Sequence, residues 1–156
     1  MNQYKKAYKC FDFIGPSPID FDTRKLYGEC VWDELCNFSL KEQIKLGKNK
    51  IGIIFNTDPH DKPGQHWISM FINIKKKKIF FFDSTGDKPV DEIMALVNRI
   101  KEQGLNLSPK MNFHFDSNEG IEHQYGNTEC GINNFLNYLV YNPRYNNPNP
   151  GHIDNL

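Results

Sequence analysis

GQHWISMFINIKKKKIFFFDSTG, residues 64–86, holds two apolar runs rich in β-branched and aromatic residues, 67–74 and 79–82, split by Lys75, Lys76, Lys77 and Lys78. Such runs read as paired strands around an exposed turn. An antiparallel hairpin turning near Lys75 or Lys76 brings His66 within about two residues of facing Asp83, seventeen positions further on. An imidazole and a carboxylate then share one end of a sheet.

In QYGNTECGINNFLNYLV, residues 124–140, Gln124 stands six positions before Cys130. Ile132, Phe135, Leu136, Leu139 and Val140 follow the spacing of one helical face, so Cys130 is expected in the first turn of a helix. The helix dipole there favours thiolate over thiol, and a neighbouring imidazolium adds to it. His-paired thiols titrate at roughly 3 to 4, against about 8.5 for a free cysteine. Each residue type suits one task in a cysteine-nucleophile site. Cys130 would attack a carbonyl, His66 would exchange its proton, and Asp83 would fix the imidazole without competing as a nucleophile. Gln124 would donate its carboxamide, with the backbone amide of Cys130, to the developing oxyanion. Gly131 would leave room beside the sulfur for substrate backbone.

In this order, with Trp67 after His66, Ser84 after Asp83 and Gly131 after Cys130, the chain resembles the ubiquitin-like-protein-specific cysteine proteases. That family takes in SUMO proteases, adenoviral protease-like enzymes and viral relatives that process capsid polyproteins. IGIIFNTDPHDKPGQHW, 51–67, looks like the strand and loop before the catalytic histidine in the branch found in large DNA viruses, and FIGPSPIDFD, 13–22, is similar to that branch's leading segment. The resemblance covers about residues 11–141. It implies an α+β, papain-like cysteine protease fold, with a central mixed or antiparallel sheet flanked by helices and the nucleophile at a helix N-terminus. It further implies an endopeptidase that cleaves viral structural polyproteins after a Gly-Gly-X type motif, through a Cys-His-Asp triad and a thioester, with no cofactor and no metal. Trp67 would wall a narrow channel for the glycine pair. Two departures bear on specificity for ubiquitin-like proteins: Glu129 stands where cellular members carry Asp, and their tryptophan-leucine start is not reproduced around Trp32. The alternatives are an isopeptidase acting on host SUMO or ubiquitin conjugates, and an acetyltransferase built on a similar His, acid and Cys set.

Length and charge fit one catalytic domain over residues 1–156, with a core at about 11–141 and an irregular Asn- and Pro-rich tail at 142–156. Nineteen basic residues balance nineteen acidic ones, which gives no general electrostatic argument for nucleic acid or an anionic membrane. The lysine run reads as a solvated turn with, at most, a weak phosphate contact. The first residues lack the apolar core of a signal peptide, and no segment is long enough to span a bilayer. The expected setting is therefore reducing, the host cytoplasm or virion for a viral protein and otherwise the cytoplasm rather than the exterior. Cys10, Cys30, Cys36 and Cys130 are accordingly expected as thiols. A protein substrate is the expected partner and a monomer the expected state. His60, His114, His123 and His152 read as surface residues, and Cys30 and Cys36 fit no common zinc spacing.

Around these motifs the pattern predicts a lead segment to Asp22, a helix over 31–46 containing Trp32, Leu35, Phe38 and Ile44, and strands over 51–55, 67–74 and 79–82. A helix is expected from Pro89 to a stop at Gly104, with Val90, Ile93, Met94, Val97 and Ile100 facing inward. A more exposed strand over 111–116 follows.

Overall fold

A mixed sheet of five strands organises the structure, a computed structural model that describes residues 2–122. Its strands lie in chain order: β1 (Phe11–Pro18), β2 (Lys50–Asn56), β3 (Trp67–Asn73), β4 (Lys78–Asp83) and β5 (His114–Ser117). The apolar runs of β2, β3 and β4 form the antiparallel centre, while β1 adds parallel to β2 and β5 parallel to β4. Among the described residues four helices accompany them: α1 (Asn2–Ala7), α2 (Asp33–Cys36), α3 (Leu40–Lys45) and α4 (Asp91–Leu105). The architecture is α+β, and α4 supplies the crossover that the parallel β4–β5 pair requires.

The hairpin has the register that its sequence predicts. Ile68 faces Asp83 and Asn73 faces Lys78, so the turn centres between Lys75 and Lys76. Asn73 Oδ1 accepts the Lys76 amide at 3.0 Å, and Lys77 takes a positive φ of 55°, which closes the turn. Across the sheet, Ile51, Ile72 and Ile79 form one row on the core face, and Ile53, Met70 and Phe81 the next. The following row reads Phe55, Ile68, Asp83. Asp83 is therefore the last residue of a buried face, which is why a carboxylate there is 4% exposed.

Several local expectations need correction. The lead segment contains β1, whose Phe11 and Ile14 are buried; its two prolines suit an edge strand, where an absent N–H costs no ladder bond. The helix expected over 31–46 is two short ones. Its break is stabilised by Gln103 of α4, whose Oε1 accepts the orphan Leu40 amide at 2.7 Å while Nε2 donates to the Phe38 carbonyl at 2.9 Å. Ser39 caps the new start by accepting the Glu42 amide. In α4 the buried stripe is Ile93, Leu96, Val97, Ile100 and Gly104. Val90 lies outside the helix as its extended N-cap and is 42% exposed, and Met94 is only half-buried. Gly104 does not stop the helix, which continues to Leu105. A Cβ at Gly104 would lie 2.5 Å from the Met111 carbonyl oxygen, so the glycine serves close packing. The last strand begins at His114 rather than at 111. Cys30 and Cys36 form a disulfide, contrary to the expectation of thiols: the bridge between Arg24 and Cys30 followed directly by α2 brings their Cα atoms to 6.2 Å, a span that a disulfide closes. Cys10 is a free, exposed thiol. No helix among the described residues is long and apolar enough to cross a membrane.

Candidate active site

His66 precedes β3 at the point where the β2–β3 loop rejoins the sheet. Its carbonyl accepts the Thr57 amide at 2.9 Å and the Thr57 hydroxyl at 3.3 Å, which extends the β2–β3 pairing by one step and anchors the residue's backbone. Two positions from the facing register, the imidazole reaches Asp83: His66 Nε2 lies 2.7 Å from Asp83 Oδ1. Engagement through Nε2 leaves Nδ1 as the nitrogen that can exchange a proton with a nucleophile.

The carboxylate is supported from its own loop. Asp83 Oδ1 also accepts the Thr85 amide at 2.9 Å and the Thr85 hydroxyl at 2.7 Å, the latter shared with Asp87 Oδ2 at 2.9 Å. Burial pushes the Asp83 carboxyl up, but the hydrogen bonds from His66 and Thr85 outweigh it and hold the group below its ordinary range. The hydrogen bond that His66 donates to Asp83 raises His66 above its ordinary value, against the opposing effect of burial, and the charges of Asp83 and Asp87 add to the rise. The pair thus favours imidazolium and carboxylate together over a neutral pair.

Asp83 is further fixed through its main chain. The side chain of Asn118, just past β5, accepts the Asp83 amide at 2.9 Å and donates to the Asp83 carbonyl at 2.6 Å. Gly86 takes a φ of +77°, and a Cβ there would come within 2.8 Å of the Ile121 backbone, so the 83–86 turn sits directly against the 118–121 turn.

Of the residues that the sequence singles out, the structure therefore brings His66 and Asp83 together and sets Trp67 beside them as the first residue of β3, opposite Asn56. Gln124, Cys130, Gly131, the apolar run after Cys130 and the 142–156 tail lie outside the described residues. Sequence reasoning missed Thr57, Thr85 and Asn118. Thr85 had a legible signal, since a carboxylate two residues before an amide is the pattern of a local side-chain turn. Asn118 had none, because its partner is thirty-five positions away. His60 is a half-exposed surface residue bonded to Asp20. Among the described residues no cluster of His, Cys, Asp or Glu could hold a metal ion.

The model of the Ulp1 protease family, C-terminal catalytic domain, matches residues 1–149. A thiol protease of Acanthamoeba polyphaga mimivirus is 29% identical over 137 residues, which is 85% of this chain and 41% of that protein. A cysteine protease of African swine fever virus is 31% identical over 137 residues, 83% of this chain and 48% of that protein. A crystal structure of that virus's protease superposes with a TM-score of 0.61 at 20% identity, over 86% of this chain and 52% of the solved one. The C-terminal Ulp1 protease domain in complex with Smt3, the yeast ortholog of SUMO, gives a TM-score of 0.57 at 18% identity, over 90% and 60% respectively. These two likenesses concern the fold. The chain spans less than half the length of the two viral relatives.

Proposed function

The chain belongs to the Ulp1 protease family, and from that premise we propose that it is a cysteine endopeptidase in which Cys130 attacks, His66 exchanges the proton and Asp83 orients the imidazole. The observation that carries this reading is the 2.7 Å bond from His66 Nε2 to the buried Asp83 carboxylate, with the imidazole held above its ordinary pKa. Such a base keeps a nearby thiol ionised near neutral pH.

The reaction then follows from the residues. Cys130 thiolate adds to the carbonyl carbon of the scissile peptide, and the oxyanion receives hydrogen bonds from the Gln124 carboxamide and the Cys130 backbone amide. The imidazolium of His66 gives its proton to the departing amine as the C–N bond breaks, which leaves a thioester on Cys130 and neutral His66. Neutral His66 next takes a proton from water, whose hydroxide attacks the thioester, and thiolate leaves with the imidazolium restored. Asp83 keeps its charge throughout and holds the ring. Removing one oxyanion donor through Gln124→Ala should lower kcat roughly 10²-fold to 10³-fold with little change in KM.

The substrate in this reading is a viral structural polyprotein cut after a Gly-Gly-X type motif, with Trp67 and Gly131 bounding a channel too narrow for side chains. Support comes from the similarity to two viral proteases. Incubation with Gly-Gly-X peptides beside SUMO and ubiquitin fluorogenic reporters tests it. Turnover of the peptides supports the polyprotein reading. Turnover of a reporter alone would replace it with deconjugation of a ubiquitin-like protein. Loss of all turnover in Cys130→Ala, with the fold retained, is required in either case.

A further inference from the structure

We infer that Asn118 is a positioning residue for the site: its side-chain amide stands in for a strand partner of Asp83 and fixes the backbone from which the carboxylate reaches His66. The inference rests on the proposed roles of His66 and Asp83. Pairing between β4 and β5 ends at Phe81 opposite Ser117, so the ladder stops two residues short of Asp83. Beyond that point Asn118 Oδ1 takes the Asp83 N–H at 2.9 Å, and Nδ2 gives one hydrogen bond to the Asp83 carbonyl at 2.6 Å and another to the Ile121 carbonyl at 3.0 Å. A carboxamide carries one acceptor oxygen and two N–H groups, one donor more than a peptide unit offers, and here the oxygen pairs with Asp83 as a strand's carbonyl would while Nδ2 serves both the Asp83 and the Ile121 carbonyls. The residue is 5% exposed, so water cannot replace these bonds without opening the turn.

The consequence reaches the imidazole through geometry. Asp83 Oδ1 must meet His66 Nε2 and both Thr85 donors at once, and three bonds converging on one oxygen allow little displacement of the Asp83 Cα. Asn118 joins that residue to the 118–121 turn, which is locked in turn by the Gly120 amide donating to the Gly86 carbonyl at 2.9 Å. Ile121 stands three positions before Gln124 and nine before Cys130 in the chain. One amide therefore ties the orienting acid to the start of the segment that carries the proposed oxyanion donor and nucleophile.

Histidine ring NMR titration of the full chain separates positioning from bulk stability. In wild type His66 should titrate above the ordinary histidine value. In Asn118→Ala its midpoint should fall toward that value, and in both Asn118→Ala and Asn118→Asp kcat/KM should fall roughly 10-fold to 100-fold, the range for loss of an outer partner of a functional side chain. The Asn118→Asp loss should shrink as pH is lowered, since protonating the introduced carboxyl restores a donor toward the Asp83 carbonyl. A folded Asn118→Ala variant with an unmoved His66 midpoint overturns the inference. If neither variant folds, wild type decides: slow solvent exchange of the Asn118 side-chain amide protons supports the role, and rapid exchange overturns it. A wild-type protein that cleaves none of the substrates above would sink the protease reading alone, because the His66 midpoint still reports on Asn118.

Discussion

Two histidine–aspartate pairs stand at the same end of the sheet, and their lengths do not tell them apart: His66 to Asp83 is 2.7 Å, His60 to Asp20 is 2.6 Å. Their surroundings do. The side chains are 24% and 6% exposed in the first pair, 47% and 19% in the second. Asp20 spends both oxygens on one residue, accepting the His60 amide at 2.9 Å and the ring at 2.6 Å. With the Ile19 amide donating to the Asp58 carbonyl at 3.3 Å, this clamps the β2–β3 loop onto the end of the lead segment. Asp83 instead closes the core row begun by Phe55 and Ile68, gathers donors from His66 and Thr85, and has its own backbone held by Asn118. A short bond is common; a short bond whose acceptor cannot move and cannot be hydrated is what a catalytic imidazole needs.

The largest separation between the pairs should appear in turnover. His66→Ala should lower kcat by roughly 10⁴-fold or more, since members of one catalytic unit fail together. His60→Ala should change it by less than about 3-fold and cost under about 1 kcal/mol of stability, as expected of a pair whose histidine lies largely in solvent. Steady-state kinetics on both variants checks this, and comparable losses would erase the distinction. Next in size, Asp83→Asn should lower kcat roughly 10²-fold to 10⁴-fold, because an amide beside Nε2 favours the wrong ring tautomer. Asp20→Asn should leave kcat within about 3-fold, and the ratio of the two losses measures how far support rather than distance sets the role.

The smallest effect concerns stability against pH. The folded pKa of His66 is raised from 6.5, so its contribution is fully present below 6.5 and is lost as pH rises through the folded value. That of Asp83 is lowered from 3.8, so its contribution is present above 3.8 and is lost as pH falls through the folded value. The Tm gap between wild type and Asp83→Asn should therefore be widest between about pH 4 and 6.5 and narrow on both sides. Thermal melts across that range test it, and a gap independent of pH would mean that the ionised pair contributes nothing to the fold.

The hairpin was legible because strand pairing is a local rule: once the lysines mark a turn, the register that places His66 near Asp83 is arithmetic on sequence numbers. Long-range features were not legible. Gln103 breaks the 31–46 segment into α2 and α3 through bonds to Phe38 and Leu40 more than sixty positions away, and periodicity in a window cannot register such a partner. Val90 continues the apolar spacing of the inward face, yet an N-cap residue is extended and its side chain leaves the stripe. Gly104 looked like a stop signal and proved to be a packing position against Met111. The disulfide between Cys30 and Cys36 is not legible from the sequence, because it follows from the local turn that brings the two residues together and not from the compartment that the composition suggests. Asn118 belongs with these, as an ordinary turn residue whose role exists only once β5 has docked beside β4.

Alkylation of the thiols at pH 6 by limiting iodoacetamide, with each site quantified by mass spectrometry, tests most directly whether the His66 pair activates Cys130. Cys10, free and exposed, serves as the internal reference. Cys130 should be labelled many times faster than Cys10 in wild type and in His60→Ala, and should fall to the rate of Cys10 in His66→Ala. Equal labelling of Cys130 and Cys10 in the folded wild-type protein, or a fast Cys130 that survives His66→Ala, would contradict it.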